Sequence, residues 1–462
     1  VSTPGITPAA HQAAAAELRT RYARLPEGER IRLGKSTSNL FRFGSGGGGG
    51  RLPADGLDHV LEVDPATRTA HVQGMTTYER LVAATLPHGL MPPVVPQLKT
   101  ITVGGAVAGL GIESSSFHAG LAHESVIEAE VLTGDGRLVT ATADNEHAAL
   151  FRALPNSYGT LGYAVSLRIR LAPVRRYVAL RHLRYTDPKS CARDVAEICA
   201  AGTHDGDPVD FLDGTVFGPG EQYLTLGRFV EESVIEGAGA EPSDYTGRRI
   251  YYRSVAERET DLLTVHDYLW RWDTDWFWCS RALGVQHPLI RPLWPRRYRR
   301  SDVYRRLVAL DRRSGFSARV RRLAGLPAEE PVIQDVEVPV ERLAEFLDAF
   351  HTEIGITPVW LCPVRLGDPE GWPLYPMDPA RLYVNVGFWS AVPVKGEPGA
   401  HNRRIEQLVA ELDGHKSLYS DSYYPEAEFW TYYNGAAYRE AKRAYDPAGR
   451  LPDLYDKCVR GR

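Results

Sequence analysis

Residues 100–124 read T-I-T-V-G-G-A-V-A-G-L-G-I-E-S-S-S-F-H-A-G-L-A-H-E. Glycines at 104, 105, 109, 111 and 120 interrupt a run of small residues, and Ser114, Ser115 and Ser116 stand together near its middle. Glycine accepts positive φ and lets a flat or charged ligand come close to the main chain. Small residues with free N–H groups also form concave nests for anions. The run is not a G-x-G-x-x-G nucleotide turn, because no strand–turn–helix context frames it. Two readings stay open here: a wall against a polar ligand, and a glycine-rich connection packed inside a β-domain.

Outward from this stretch lie two more loops of the same character. Ile31–Leu33 reads as a short strand running into Gly34-Lys35-Ser36-Thr37-Ser38-Asn39-Leu40, whose hydroxyls, amide and backbone N–H groups suit a pyrophosphate or a plain polar surface loop. The S-G-G-G-G-G of 45–50 is expected to be a flexible tip. On the far side, Ser157-Tyr158-Gly159-Thr160-Leu161-Gly162 is a third glycine-punctuated turn, followed by an alternating strand over 163–171. Between the loops come strands at 59–63 and 69–72, and a helix opened by Thr76 with Glu79 as a capping box. A hairpin of 127–133 with 137–142 follows, then a helix from Asp144 to Leu154. Ala9–Arg24 reads as a surface helix. Three small-residue loops in one α/β region point to a large ligand with several polar segments, and a flavin dinucleotide fits better than a mononucleotide.

A chain of 462 residues has room for two or three domains. A net charge of -4 gives no global basis for nucleic-acid binding. The five cysteines, at 191, 199, 279, 362 and 458, form neither a C-x-x-C pair nor a disulfide framework, so no metal site and a reducing cytoplasm are the expectations. The N-terminal residues lack a basic start and apolar centre, and no run approaches the roughly 18 apolar residues of a membrane span, so a soluble chain is expected.

The middle of the chain repeats itself. A strand at 177–185, a helix at 188–201 and strands at 209–216 and 222–230 are matched by a strand at 332–339, a helix at 341–354 and strands at 356–362 and 382–388. Two β-α-β-β halves predict one antiparallel sheet with helices on one face, forming a substrate-covering cap. Between the halves, 270–300 is aromatic and basic, with Trp270, Trp272, Trp276, Phe277 and Trp278 followed by R-P-L-W-P-R-R-Y-R-R at 291–300. It reads either as an amphipathic helix with tryptophans on the cap and arginines in water, or as a peripheral membrane contact. After a helix expected over 406–412, the terminal segment carries Tyr419, Asp421, Tyr423, Tyr424, Glu428, Trp430, Tyr432, Tyr433 and Tyr455-Asp456-Lys457. Such residues serve either an aromatic terminus or an apolar pocket in which a proton is delivered.

Taken together, T-V-G-G-x-x-x-G-x-G-I-E-S-S-S (102–116), G-T-L-G (159–162), P-V-W-L-C-P (358–363), L-Y-S-D-S-Y (418–423), E-F-W (428–430) and Y-D-K (455–457) resemble the FAD-linked oxidoreductases of the vanillyl-alcohol oxidase type. Within that superfamily the chain is similar to the delta(24)-sterol reductase family. The resemblance implies an α+β fold: a two-lobed PCMH-type FAD-binding domain over 1–173 (lobes about 1–90 and 91–173), a cap over 174–415 with ferredoxin-like half repeats, and a segment, 416–462, returning to the flavin. It implies FAD contacts from Gly34, Lys35, Ser36, Thr37, Ser38, Asn39 and Leu40 and from Thr100, Thr102, Val103, Gly104, Gly105, Gly109, Gly111, Ile112, Glu113, Ser114, Ser115 and Ser116. Gly159, Thr160, Gly162 and Val165 would complete the cofactor set. Hydride would pass at flavin N5, with the protein supplying orientation and proton chemistry.

Three departures from the family pattern are visible. The membrane anchor of the eukaryotic sterol reductases is missing from these residues, and Phe117-His118 replaces the usual His-Lys after the serines. The first loop, Lys35–Leu40, has neither the His nor the Cys that tethers flavin in many relatives, and no cysteine precedes Cys191, so the expected FAD is non-covalent. The expected reaction reduces a C=C bond of an apolar, sterol- or terpenoid-like substrate, with NADPH as the reductant. Tyr423, Lys457 and Glu428 are the candidate acids, with Asp421 as an orienting carboxylate and His118 as a further catalytic candidate. The alternatives are an oxidase or dehydrogenase of an alcohol, sugar or natural-product intermediate, and a flavin-free binding protein. The fold alone does not choose between them.

Overall fold

The computed structural model describes residues 6–35, 41–42, 49–394 and 396–461. Ser36, Thr37, Ser38, Asn39 and Leu40 of the first loop, and most of the 45–50 glycine run, lie outside the described residues. The chain combines helices with mainly antiparallel sheets.

The N-terminal third builds a five-stranded sheet in the order Val60–Asp64, Thr69–Gln73, Gly162–Arg170, Val126–Thr133, Leu138–Ala141, every neighbouring pair antiparallel. A second, small parallel pair joins Ile31–Gly34 to Gly50–Pro53. The expected hairpin across Gly134–Gly136 is present. The helix Tyr78–Thr85 is capped by Thr77, whose hydroxyl accepts from the Arg80 amide at 3.3 Å; the Thr76 hydroxyl instead donates to the His59 carbonyl. Two adjacent threonines offer the same cap, and the bond to the neighbouring strand decides between them. The helix expected from Asp144 starts only at Ala148, because Asp144 accepts from the Thr142 hydroxyl and Asn145 closes a local turn.

The middle of the chain folds into one eight-stranded sheet. Its order is Thr260–Thr264, Tyr177–Tyr185, Glu221–Val230, Phe211–Gly218, Val359–Val364, Tyr383–Pro393, Glu329–Pro339, His415–Lys416. The two β-α-β-β halves meet where Phe211–Gly218 pairs with Val359–Val364, and on either side of that junction the strands run in mirrored order. Alternation then gives the sheet two unlike faces. Leu212, Leu224, Val336, Val359, Leu361, Val386 and Phe388 pack against the helices Pro188–Ala201, Leu343–Glu353 and Ala400–Glu411. The opposite face carries His182, Thr225, Asp213, Thr215, Trp360, Cys362, Asn385, Asp335 and Glu337, all at alternate positions, and it turns toward the glycine-rich lobe. Polar side chains at period two would ordinarily mark a water-facing surface. Here most are buried under the other lobe.

The aromatic segment departs from the amphipathic helix expected over 270–300. It forms turns rather than an amphipathic helix, interrupted by Gly284, Pro292 and Pro295. Trp270, Trp272, Trp276, Phe277 and Trp278 are buried, so these tryptophans are not a membrane face. Arg271, Arg291 and Arg299 are buried too, rather than in water. Arg291 pairs with Asp275 at 2.7 Å and donates to the Gly247 and Arg249 carbonyls, so its charge enters the interior with its hydrogen bonds made.

Candidate active site

The 100–116 stretch forms the helix Val103–Ala108 and the loop after it. The Thr102 hydroxyl accepts from the Gly105 amide at 3.2 Å. A Cβ on Gly104 would lie 2.7 Å from the Gly74 carbonyl oxygen, which is why no larger residue fits. The 157–162 turn is hydrogen-bonded directly to this loop: the Asn156 amide donates to the Gly109 carbonyl at 3.1 Å, and the Tyr158 amide to the Ala108 carbonyl at 2.7 Å. Asn156, Tyr158 and Gly159 all have positive φ, at 59°, 50° and 75°. For a bulky tyrosine this is a strained backbone, of the kind held at functional sites.

A group of cations gathers on this pair of loops. The Lys457 ammonium donates to the Tyr158 carbonyl at 2.6 Å, Arg42 lies 4.6 Å over the Tyr158 ring, and Lys35 sits near Gly105. Burial lowers the Lys35 pKa to about 8, with Arg305 and Arg42 pushing the same way. Burial lowers Lys457 to about 7, helped by Arg42, Lys35 and Lys442. A close-set group of cations that depress one another suits an anionic group. A dinucleotide pyrophosphate is an anion of that kind, and these cations stand on the glycine-rich loops. The residues present therefore fit FAD. Lys442 braces the same turn from the C-terminal segment, donating to the Thr160 carbonyl at 2.7 Å. Cys458, next to Lys457, accepts from Arg42 at 2.6 Å; burial raises its thiol pKa and the neighbouring cations oppose that.

A second cluster, of acids and phenols, lies between these loops and the cap sheet. Asp335 and Glu337 project from one strand to the same side. Burial pushes Asp335 up to about 7 and Glu337 up to about 8. Tyr375 donates its hydroxyl to Glu337, and Asn385 donates to Asp335 at 3.2 Å. Tyr419 interacts with Asp335 and accepts from the Trp389 indole at 2.9 Å. The Tyr158 hydroxyl is 3.5 Å from Ser417, and the Glu337 charge reaches it. Among the described residues, Glu337 Oε1 and Asn385 Oδ1 are buried without a hydrogen-bond partner, so both keep free acceptor capacity. Aromatic walls run alongside: Phe277 stacks on Trp389 at 4.1 Å, and Phe41 stacks on Trp276 at 5.6 Å and meets Tyr419 edge-on at 5.8 Å.

The E-S-S-S end of the stretch is stitched to the cap. Glu113 pairs with Arg271 at 2.9 Å, and Arg271 pairs with Asp213 at 2.9 Å, all three fully buried. Asp213 also accepts from the indoles of Trp272 and Trp360. The Leu212 amide donates to the Ser114 carbonyl at 2.7 Å, and the Arg365 amide to Ser116 at 3.2 Å.

The five candidate catalytic side chains have different surroundings. Lys457 lies on the Tyr158 turn. Tyr423 is half-buried, its amide donating to Glu406, while Glu406 pairs with buried Lys416 at 2.7 Å. Asp421 is half-buried and interacts with Arg312. Glu428 is exposed on the first turn of Glu426–Tyr432, and His118 is exposed with its ring 2.9 Å from the Asp210 carbonyl. Glu428 and His118 therefore stand apart from the buried acid cluster. Sequence reasoning missed Asp335, Glu337, Tyr375, Asn385, Arg42 and Arg271. The one signal available was a pair of acids at alternate positions in the otherwise apolar V-I-Q-D-V-E-V strand.

Comparison with known proteins agrees with the geometry. An FAD-binding domain family matches residues 24–142. The human delta(24)-sterol reductase is 29% identical over 422 residues, covering 87% of this chain and 77% of that protein. The Arabidopsis thaliana delta(24)-sterol reductase is 28% identical over 434 residues, covering 87% and 75%. A rice cytokinin dehydrogenase is 32% identical over 143 residues, 31% of this chain and 27% of its own. With these matches over the loops described above, the chain is an FAD-dependent oxidoreductase with a PCMH-type FAD-binding domain, similar over most of its length to the delta(24)-sterol reductases.

Proposed function

We propose that the protein holds FAD without a covalent bond and reduces a carbon–carbon double bond of an apolar, sterol- or terpenoid-like substrate. The observation that carries this reading is the Asp335–Glu337 pair, half-buried and fully buried respectively, whose pKa values of about 7 and about 8 keep protons on carboxyls at neutral pH. Reducing a C=C bond requires a hydride at one carbon and a proton at the other. FAD, when bound, supplies the hydride chemistry, with NADPH as the proposed source of electrons. Glu337 supplies the proton, Tyr375 holds its carboxyl in place and Asp335 is the second acid of the pair. The tryptophan and phenylalanine walls exclude water and receive the apolar substrate. Cofactor contacts are assigned to Lys35, Arg42, Thr102–Gly105, Gly109, Gly159, Thr160 and Lys457.

The same reading divides the chain into an FAD-binding unit over 1–173, a cap over 174–415 and a returning segment over 416–462. The mirrored strand order supports treating the cap as two ferredoxin-like half repeats. A second reading, an FAD-dependent oxidase or dehydrogenase of an alcohol, is favoured by the partial likeness to a cytokinin dehydrogenase. Anaerobic stopped-flow separates the two. Bleaching of the flavin by NADPH, with reoxidation by a sterol bearing an isolated side-chain double bond, is the expected result. Bleaching by an alcohol and not by NADPH would overturn it.

A further inference from the structure

The helix Ser301–Ser314 joins the core through Tyr304, but the helix after it, Phe316–Leu323, does not. The pair turns at Gly315, whose φ is 63°, and the second helix buries none of its side chains. Phe316, Val320 and Leu323 recur at helical spacing and all face water, Phe316 at 64% and Leu323 at 88% exposure. Leu310 at 65% and Leu326 add to them. The preceding turns expose Leu289 and Leu293, the latter at 82%, and Trp294 packs toward Tyr304 of the first helix. An eight-residue helix with its apolar side in water has little stability of its own and needs a covering surface.

Charge identifies the surface. Residues 289–326 hold twelve arginines and two aspartates in a chain whose net charge is -4. Arg291 and Arg299 are buried, and Arg296, Arg300, Arg306 and Arg321 pair with carboxylates, which leaves the charge of the others to the surface. Arg313, Arg319 and Arg322 are exposed and, among the described residues, enter no ion pair. A second copy of the chain would set these arginine-rich faces against each other. A nucleic acid would neutralise the arginines but leave the leucines and phenylalanine in water. A bilayer with anionic headgroups satisfies both, because apolar side chains enter the acyl boundary while arginines meet the headgroups. We infer that residues 289–326 dock the protein on an anionic membrane surface. This shifts the contact expected over 270–300 to its last turns and the helix pair that follows them. Arg305 of the first helix acts on Lys35, and Arg312 on Asp421, so the docking face borders the flavin loops. The inference rests on exposure and charge and is independent of the substrate reading.

The test is co-sedimentation of the FAD-loaded full chain with vesicles of phosphatidylcholine alone, and of phosphatidylcholine mixed with phosphatidylglycerol. Binding is expected to the mixed vesicles, weakening with salt, and to be weaker on the neutral ones by about tenfold or more. Two variants, F316S/V320S/L323S and R313Q/R319Q/R322Q, should each lose about tenfold or more of that binding, with flavin absorbance and far-UV circular dichroism unchanged. Failure of the wild type to pellet, or equal pelleting with both vesicle types, would overturn the inference without relying on any variant. So would binding that survives both triple substitutions. A lipid-free dimer in sedimentation velocity that F316S/V320S/L323S dissolves would assign the face to a second copy instead.

Discussion

Glu337 is buried with a tyrosine hydroxyl on one oxygen and, among the described residues, no hydrogen-bond partner on the other. If it is the proton donor, Glu337→Gln should lower kcat by about a hundredfold or more while the bound flavin's spectrum stays unchanged. Wild-type kcat should fall as pH rises through about 8, where the donor loses its proton, and this limb should vanish in the variant. Lys457 makes an opposite kind of prediction. Its folded pKa of about 7 lies below its ordinary 10.5, so between those values the unfolded chain binds more protons and stability rises with pH. Below pH 7 the apo protein carries the full cost of a buried cation. Lys457→Met should therefore raise the apo Tm more at pH 6 than at pH 9 while weakening FAD binding, as thermal melts and flavin titration would show. Cys458 bears on the flavin's attachment. Acid precipitation is expected to release the yellow colour; colour retained on the wild type and lost in Cys458→Ser would place a bond at that thiol.

At the scale of elements, the glycine loops act by close approach. Gly104→Ala would set a methyl 2.7 Å from the Gly74 carbonyl, displacing the helix Val103–Ala108. A loss of about 1–3 kcal/mol in denaturant melts, with reduced flavin content, is expected. Much at this scale was legible in the sequence. The β-α-β-β order of the middle of the chain and the 126–141 hairpin follow from periodicity and turn residues, which act locally. The acids of the V-I-Q-D-V-E-V strand could not be placed the same way. Alternation shows that Asp335 and Glu337 share a face, but only the lobe folded against that face makes it an interior. The tryptophan segment failed for a related reason: its prolines forbid a long helix, and its arginines find buried partners far away in sequence, as Arg291 does in Gly247 and Asp275.

Across the whole molecule, the glycine-rich lobe and the cap share one buried ionic triad, Glu113–Arg271–Asp213. Arg271→Met would leave two carboxylates facing each other in the interior, and a cost of about 3–5 kcal/mol is expected in equilibrium unfolding. Restoring neutrality with Glu113→Gln and Asp213→Asn in the same chain should recover part of it, a coupling that a double-mutant cycle would measure. The triad also limits modularity. Its members come from three places in the chain: the serine-rich motif, a strand of the first half repeat and the tryptophan insertion. A cap exchanged between relatives would have to bring both Arg271 and Asp213 with it, or leave Glu113 stranded. What presents itself in the sequence as a cofactor motif is thus also a lock, and a segment exchanged into this chain keeps its interior charges matched only where all three teeth of that lock travel together.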